Sequence, residues 1–328
     1  MSFQQSLQPM LVWMRFIGIF LESPGTIPAE AASPWIRIGI TCYGFLFFFG
    51  NIFFNGLHIT EFFALIEITS SYSSTASLWT VAISTLNLAA MTICSQTSLM
   101  SSAATKWPNL MQILCQMENQ GFFETRDFSN FRRIFLGGLI SIMVFAVTIL
   151  GATVVPVWTL DWPIFRKCQA SFPAFCLLFV FSGGALFSSL GWMVSNMLDI
   201  LARQVHQANR KNTEINWTKR INTWRRQYFM ISQLVDEISR CNGPLLLTLI
   251  ATGFVQMIVF SYNIMQNVID NCHVCIVNQF LLLATQFSFF LVLIYVPHRI
   301  RESAIAFSKQ LQCIEQGPEN NDKVVVII

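Results

Sequence analysis

Residues 172–197 read FPAFCLLFVFSGGALFSSLGWMVSNM, a run without a charged residue. A helix needs about 20 predominantly apolar residues to cross the hydrocarbon core of a bilayer, and this run is long enough. Backbone groups in lipid must be hydrogen-bonded, and nothing in the run alternates as a barrel strand would. The stretch therefore predicts a membrane-spanning α-helix.

Five further runs resemble this one, so the sequence predicts six spans, at 38–56, 76–100, 134–158, 172–197, 244–268 and 274–297. The second is the least apolar, because it contains many Ser and Thr. Composition agrees: 54% of residues are hydrophobic, 31 are Phe and only 11% are charged, whereas soluble domains carry about 25% charged residues. We expect one all-α, polytopic transmembrane domain over 1–328.

The distribution of basic residues predicts the orientation. All 20 Lys and Arg residues except Arg166 and Lys167 lie in alternate inter-span segments. Because Lys and Arg are retained on the cytoplasmic side, we expect a cytoplasmic N-terminus and, with six spans, a cytoplasmic C-terminus. This orientation, and the absence of Asp-Arg-Tyr and Asn-Pro-x-x-Tyr motifs, argue against a G-protein-coupled receptor. The small net charge of +3 gives no indication of nucleic-acid binding.

Three segments are predicted to be helical at the cytoplasmic side. Residues 7–20 are interpreted as a short helix at the inner surface, or else an unstructured tail. Residues 198–243 extend the fourth span, turn near 209–218 and return to the fifth, and 298–312 extend the sixth. One apolar stripe at helical spacing needs a partner, which is either other helix ends, a second subunit or the membrane surface: Ile221, Trp224, Tyr228, Ile231, Leu234, Val235 and Ile238.

The spans contain essentially no ionisable residues, which in membranes mark proton and ion routes. This argues against a proton-coupled transporter, and no nucleophile–base pair, phosphate loop or metal cluster indicates an enzyme or a cofactor. Neutral polar residues form hydrogen bonds between helices or line a pocket for a small molecule: Asn51, Thr80, Ser84, Asn87, Thr148, Thr153, Asn278, Gln279 and Gln286.

Two local motifs are expected to be inactive as sites. The Cys272–Cys275 pair stands alone, whereas zinc prefers four ligands, so we expect free thiols there or a disulfide with Cys168. Asn216 opens an Asn-x-Thr glycosylation motif, but it lies in a segment predicted to be cytoplasmic and should not be used.

Three stretches resemble the arthropod gustatory receptors. The first joins Leu7-Gln8-Pro9-Met10 to Arg15-Phe16-Ile17-Gly18-Ile19. The second is QLVDEISRCNGPLL at 233–246, with Phe-Ser-Tyr at 260–262. The third is Arg-Glu-Ser-Ala at 301–304 with the helix that follows. The likeness extends, in order and topology, over nearly the whole chain.

The resemblance implies a ligand-gated cation channel subunit in the plasma membrane. Such a subunit detects small tastants, assembles as a homo- or hetero-tetramer with other gustatory receptor subunits, and is surrounded by membrane lipids. The ligand pocket opens to the outside among the second, third, fourth and sixth spans. The cytoplasmic helix ends form a shared anchor, which would bury the apolar stripe.

In this family a seventh span lines the pore and carries Thr-Tyr, five apolar residues and Gln-Phe. Here Gln279-Phe280 is preceded at that spacing by Cys272-His273, and Gln286-Phe287 by Gln279-Phe280. The five apolar residues that end the sequence cannot cross a bilayer. We therefore expect a form without the pore helix, through truncation, alternative splicing or an incomplete gene sequence.

Depth in the predicted spans provides the candidate pocket residues. Aromatic rings with scattered amides suit sugars and bitter compounds equally, and the aromatic residues are alternatively interfacial anchors. The candidates are Trp79, Thr80, Thr153, Trp158, Phe172, Phe175, Asn278 and Gln279. A six-span transporter or another non-sensory integral membrane protein is the alternative, although no internal repeat of the kind common in transporters is evident.

Overall fold

The computed structural model describes residues 3–17, 19, 34–69, 75–123, 125–210, 217–269 and 273–315. Within these ranges the chain is helical and contains no strand. The helices are α1 (Phe3–Phe16), α2 (Pro34–Thr69), α3 (Thr75–Thr105), α4 (Trp107–Asn119), α5 (Thr125–Thr159), α6 (Ile164–Arg210), α7 (Trp217–Ile269) and α8 (His273–Glu315).

Several helices are longer than a bilayer requires. The 53 residues of α7 extend for about 80 Å at a rise of about 1.5 Å per residue, against a hydrocarbon core of about 30 Å. The fourth span continues without a break to Arg210, and the next helix begins at Trp217, as the sequence predicts. Likewise, the sixth predicted span and the segment 298–312 form one helix, α8.

Within the described ranges, five helices are long and apolar enough to cross a membrane: α2, α5, α6, α7 and α8. They define a multi-pass helical membrane protein. The predicted span 76–100 lies in α3, which has 31 residues but is not among the five, because Ser, Thr, Asn and Gln interrupt its apolar residues. The sixth crossing therefore stays a prediction.

Helix α6 is the central element of the bundle. In its apolar stretch 78% of the residues are buried, against 17–33% in the other four candidate spans, and it packs against α2, α3, α5, α7 and α8. Two glycines permit these close approaches: a Cβ atom at Gly184 would overlap the Phe289 ring, and one at Gly191 would overlap Val296. Helix α6 is thus the scaffold on which the other spans are placed.

The N-terminal helix α1 packs mainly against α5 and also contacts α4. Phe3, Leu7, Met10 and Met14 are fully buried, and the Phe3 ring stacks on Phe131 with centroids 5.3 Å apart. The predicted helix is confirmed, and protein covers its apolar side; its predicted place at the inner surface stays a prediction. Residues 18 and 20 of the predicted segment 7–20 lie outside the described residues.

Helix α4 was not predicted. Pro108 lies in its first turn, a position that tolerates the missing backbone N–H, and the chain leaves the helix through Gly121 at φ 65°. Its buried residues recur at helical spacing on the face toward α7 and α3: Trp107, Leu110, Met111, Leu114 and Met117. That spacing is the signal that sequence reasoning passed over between the second and third spans.

Candidate functional site

The predicted pocket residues do not converge in the part of the chain that the structure describes. Trp79 is 67% exposed, Trp158 is 50% exposed and Phe175 is 38% exposed. The Trp158 Nε1 atom donates a hydrogen bond to Ser171 Oγ at 3.0 Å. An exposed ring with a satisfied N–H is typical of an aromatic residue at the membrane interface, which favours the anchor interpretation for Trp158.

Phe172 lies in an aromatic cluster between α2 and α6. Its ring is 4.6 Å from that of Phe54 and 5.5 Å from that of Phe47, centroid to centroid. Thr80 and Gln279 are half-buried, and Gln279 Oε1 is buried with no hydrogen-bond partner among the described residues. The side chains of Thr153 and Asn278 lie outside the described residues, and the pocket role of these eight stays a prediction.

A cavity of about 390 Å³ lies between α5, α6 and α8, within the range of about 300–1,000 Å³ usual for small-molecule sites. None of the eight predicted residues lines it. One wall is aromatic: the Phe181 ring lies 4.8 Å from Phe145 in a stacked pair and 4.7 Å from Phe289 edge to face. Trp192 completes the aromatic lining.

Small residues on α5 and α6 complete the lining, among them Gly137, Ser141, Ala185 and Ser188. Ser141 Oγ donates to the Gly137 carbonyl at 3.0 Å, and Ser188 Oγ donates to the Gly184 carbonyl at 2.8 Å. No charged side chain lines the cavity. Because these hydroxyl protons are already bonded within their own helices, the site suits a ligand that needs few hydrogen bonds.

Two of the neutral polar residues in the spans form hydrogen bonds between helices, as one interpretation predicts. Asn51 Nδ2 on α2 donates to Gln96 Oε1 on α3 at 2.9 Å. Asn87 Nδ2 on α3 donates to Gln256 Oε1 on α7 at 3.0 Å and to the Thr252 carbonyl at 2.9 Å. These bonds satisfy polar groups inside the bundle and join α3 to both neighbours.

The apolar stripe on α7 is packed against helices of the same chain. Trp224, Ile231, Leu234 and Ile238 are buried, while Ile221, Tyr228 and Val235 are half-buried against the same core. The Tyr228 ring stacks on Phe307 of α8 at 5.2 Å, and α4 covers another part of α7. Among the three partners considered, the other helix ends of the chain cover the stripe, and a role in an oligomer anchor stays a prediction.

Polar contacts hold the same end of the bundle together. Lys106 Nζ donates to the Arg240 carbonyl at 2.8 Å, and Ser102 Oγ donates to the Cys241 carbonyl at 2.5 Å. Between α6 and α8, Arg299 is 3.3 Å from the Asp199 carboxylate. We call this end, which includes α4 and the basic segment 203–240, the basic end.

The cysteine and glycosylation motifs are only partly described. Cys168 is a free, exposed thiol. Cys272, the side chain of Cys275 and Asn216 lie outside the described residues. Among the described residues no three His, Cys, Asp or Glu side chains cluster as metal ligands would.

The fold is that of a multi-pass helical membrane protein with an apolar cavity inside its bundle. The chain belongs to the 7tm Chemosensory receptor family, whose model matches residues 7–324. This membership agrees with the resemblance to arthropod gustatory receptors and makes the chain a chemoreceptor; it does not favour a transporter. No curated protein matches the sequence.

Proposed function

We propose that the chain is a gustatory receptor subunit that detects small tastants and contributes to a ligand-gated cation channel. The observation that carries the proposal is the family match, which extends over 7–324. The three gustatory-receptor-like stretches, at 7–19, 233–262 and 301–304, lie within that match in the expected order. They support the gustatory branch over other chemoreceptors.

The proposed location is the plasma membrane, with the N-terminus in the cytoplasm. Support comes from the basic residues: Lys106, Arg203, Arg240 and Arg299 belong to segments that share one side of the membrane if the spans alternate. Lys and Arg are enriched on the cytoplasmic side. The N-terminal helix α1 contacts α4 and the start of α5, so its first residues belong to this same side.

The proposed assembly is a homo- or hetero-tetramer of gustatory receptor subunits. The apolar stripe on α7 is covered within the subunit, so contacts between subunits would use other surfaces of the bundle. Exposed apolar side chains remain near the basic end, for example Phe229 and Ile305. We propose that such residues, rather than the stripe itself, meet the neighbouring subunit.

Electrophysiology tests the proposal. The chain is expressed in oocytes, alone and with a gustatory receptor subunit that carries the Thr-Tyr, five apolar, Gln-Phe motif, because residues 1–328 do not contain it. Panels of sugars and of bitter compounds are applied under voltage clamp. We expect a tastant-evoked cation current in the co-expressing cells that differs in ligand range or sensitivity from that of the partner alone. Currents identical to those of the partner alone, with the chain shown at the cell surface, would contradict the proposal.

A further inference from the structure

We propose that the cavity between α5, α6 and α8 binds one acyl chain of a phospholipid from the leaflet at the basic end, and that Arg133 contacts its phosphate. The predicted tastant pocket lies toward the other end of the spans, so this is a separate site. The proposal depends on the chain being a membrane protein and not on its ligand being a tastant.

The cavity is flanked by apolar residues that face away from the bundle. Ile140 and Val144 on α5 are 63% and 60% exposed, and they belong to an apolar stretch long enough to cross the membrane. Val292 on α8 lines the cavity and is itself exposed. A groove between such faces is filled from the bilayer rather than from water.

The depth of the cavity matches one leaflet. Its lining on α5 runs from Ile134 to Phe145, which is about 16 Å at a rise of about 1.5 Å per residue. Half of a hydrocarbon core of about 30 Å is similar. Toward the basic end, the Trp192 ring lies 5.7 Å from that of Tyr295, and such aromatic residues are enriched at the interface between hydrocarbon and headgroups.

The low polarity of the cavity favours a hydrocarbon chain as its ligand. Its Ser141 and Ser188 hydroxyls donate to carbonyls of their own helices, and no charged group reaches it. Ser189 and the Trp192 indole are the other polar groups of the lining, and they are too few to replace the hydrogen bonds to water that a sugar would lose. An acyl chain has no hydrogen bonds to lose.

Arg133 lies one helical turn beyond Gly137 of the cavity, at the depth in the membrane where a lipid headgroup is expected. Arg133 precedes Gly137 by four residues and therefore lies on the same face of α5. Arg132 and Arg133 are exposed, and no described residue forms an ion pair with either. By contrast, Arg299 on the neighbouring α8 is engaged by Asp199. Guanidinium groups bind phosphate through charge-assisted hydrogen bonds, so Arg133 is suited to hold the headgroup.

Two glycines on α5 provide a matched pair for testing the acyl-chain site. A Cβ atom at Gly137, which lines the cavity, would meet no atom within 4 Å, and the same holds for Gly151 farther along the helix, outside the cavity lining. Gly137→Phe therefore fills the cavity without disturbing the packing of the helices. Gly151→Phe adds the same ring to the same helix and leaves the cavity empty.

Native mass spectrometry of the purified full chain, delipidated and titrated with phosphatidylglycerol, measures the bound lipid. We expect one saturable lipid per chain in the parent and in Gly151→Phe, and no saturable lipid in Gly137→Phe. Equal binding by the two variants, or no saturable lipid in the parent, would overturn the proposal. If Gly137→Phe is not recovered as folded protein by size-exclusion chromatography, Ser141→Leu occupies the same cavity from one turn farther along and must show the same loss.

The headgroup contact is tested with adjacent arginines. A basic residue near an anionic membrane surface contributes about 1 kcal/mol, so Arg133→Gln should weaken phosphatidylglycerol binding about fivefold. Arg132→Gln removes the same charge from a neighbouring face and should change the affinity much less. Equal losses would refute a specific phosphate contact. Tastant-evoked currents are measured separately, so failure of the lipid site and failure of the proposed function give different results.

Discussion

The Trp13 indole Nε1 on α1 donates a hydrogen bond to Ser182 Oγ on α6 at 2.8 Å. Ser182 is fully buried and lies near the middle of the predicted span 172–197, so this bond ties the N-terminal helix to the centre of the bundle. Met10 on the same helix packs beside Gly138 of α5, at the back of the lipid cavity. The N-terminal helix is therefore packed into the core of the helical bundle.

Breaking the bond between Trp13 and Ser182 should lower thermal stability. Trp13→Phe and Ser182→Ala each leave one buried polar group unpaired, which costs about 1–3 kcal/mol, whereas the double variant removes both groups and should recover part of the loss. Fluorescence-detected size-exclusion chromatography after heating measures the effect for all three variants. Losses that simply add in the double variant would show that the two side chains are not coupled.

The close contact between α6 and α8 should not tolerate one methyl group at Gly184. A Cβ atom there would overlap the Phe289 ring, and that ring cannot swing away because Phe145 and Phe181 pack against it. Overpacking of this kind costs about 1–3 kcal/mol, so Gly184→Ala should lower the melting temperature.

Gly56→Ala is the control for this substitution, because a Cβ atom at Gly56 in α2 would meet nothing within 4 Å. Alanine is favoured over glycine in a helix interior by up to about 1 kcal/mol, so this variant should be neutral or slightly more stable. Equal destabilisation by both changes would mean that the close approach at Gly184 does not limit the packing.

The hydrogen bonds of Asn51 between α2 and α3 should contribute measurably to the thermal stability of the chain. Asn51 Oδ1 accepts from Asn55 Nδ2 at 2.5 Å, while Asn51 Nδ2 donates to Gln96. Asn51→Leu therefore leaves the buried Gln96 Oε1 without its partner, at a cost of about 1–3 kcal/mol, and leaves Asn55 Nδ2 only the backbone carbonyl of residue 51.

Thr97→Val is the control for that change, because the exposed Thr97 hydroxyl bonds only to the Ile93 carbonyl of its own helix. It should alter stability by less than about 0.5 kcal/mol. Heating the two variants in the same detergent compares them directly, and a loss for Thr97→Val as large as that for Asn51→Leu would remove the special role of the buried amides.

The hydrophobic runs predicted the long helices because a bilayer demands a minimum apolar length. They could not predict which faces meet. The position of Trp158 in its span indicated its depth, yet its ring is half-exposed. Phe145 lines the cavity instead, although it is two turns from any predicted pocket residue on α5. Rotation of each helix about its axis is set by tertiary packing, which depth does not reveal.

One sequence signal pointed to the α5–α6 contact. Gly138 on α5 and Ser189 on α6 belong to clusters of small residues, and small residues at helical spacing let spanning helices approach closely. A Cβ atom at Gly138 would overlap Ser189 Oγ, which shows how close the two helices are.

The proposed orientation can be tested at Cys168. This thiol is free and exposed and lies in the segment 159–171 between the third and fourth predicted spans, which the charge distribution assigns to the outside. A membrane-impermeant maleimide should therefore label Cys168 in intact cells. The Cys168→Ser variant should lose the share of the label that Cys168 carries, and the label that remains measures the other thiols, of which Cys42 and Cys94 are also exposed. If the parent and Cys168→Ser label equally in intact cells and differ only after permeabilisation, Cys168 faces the cytoplasm and the proposed orientation is reversed.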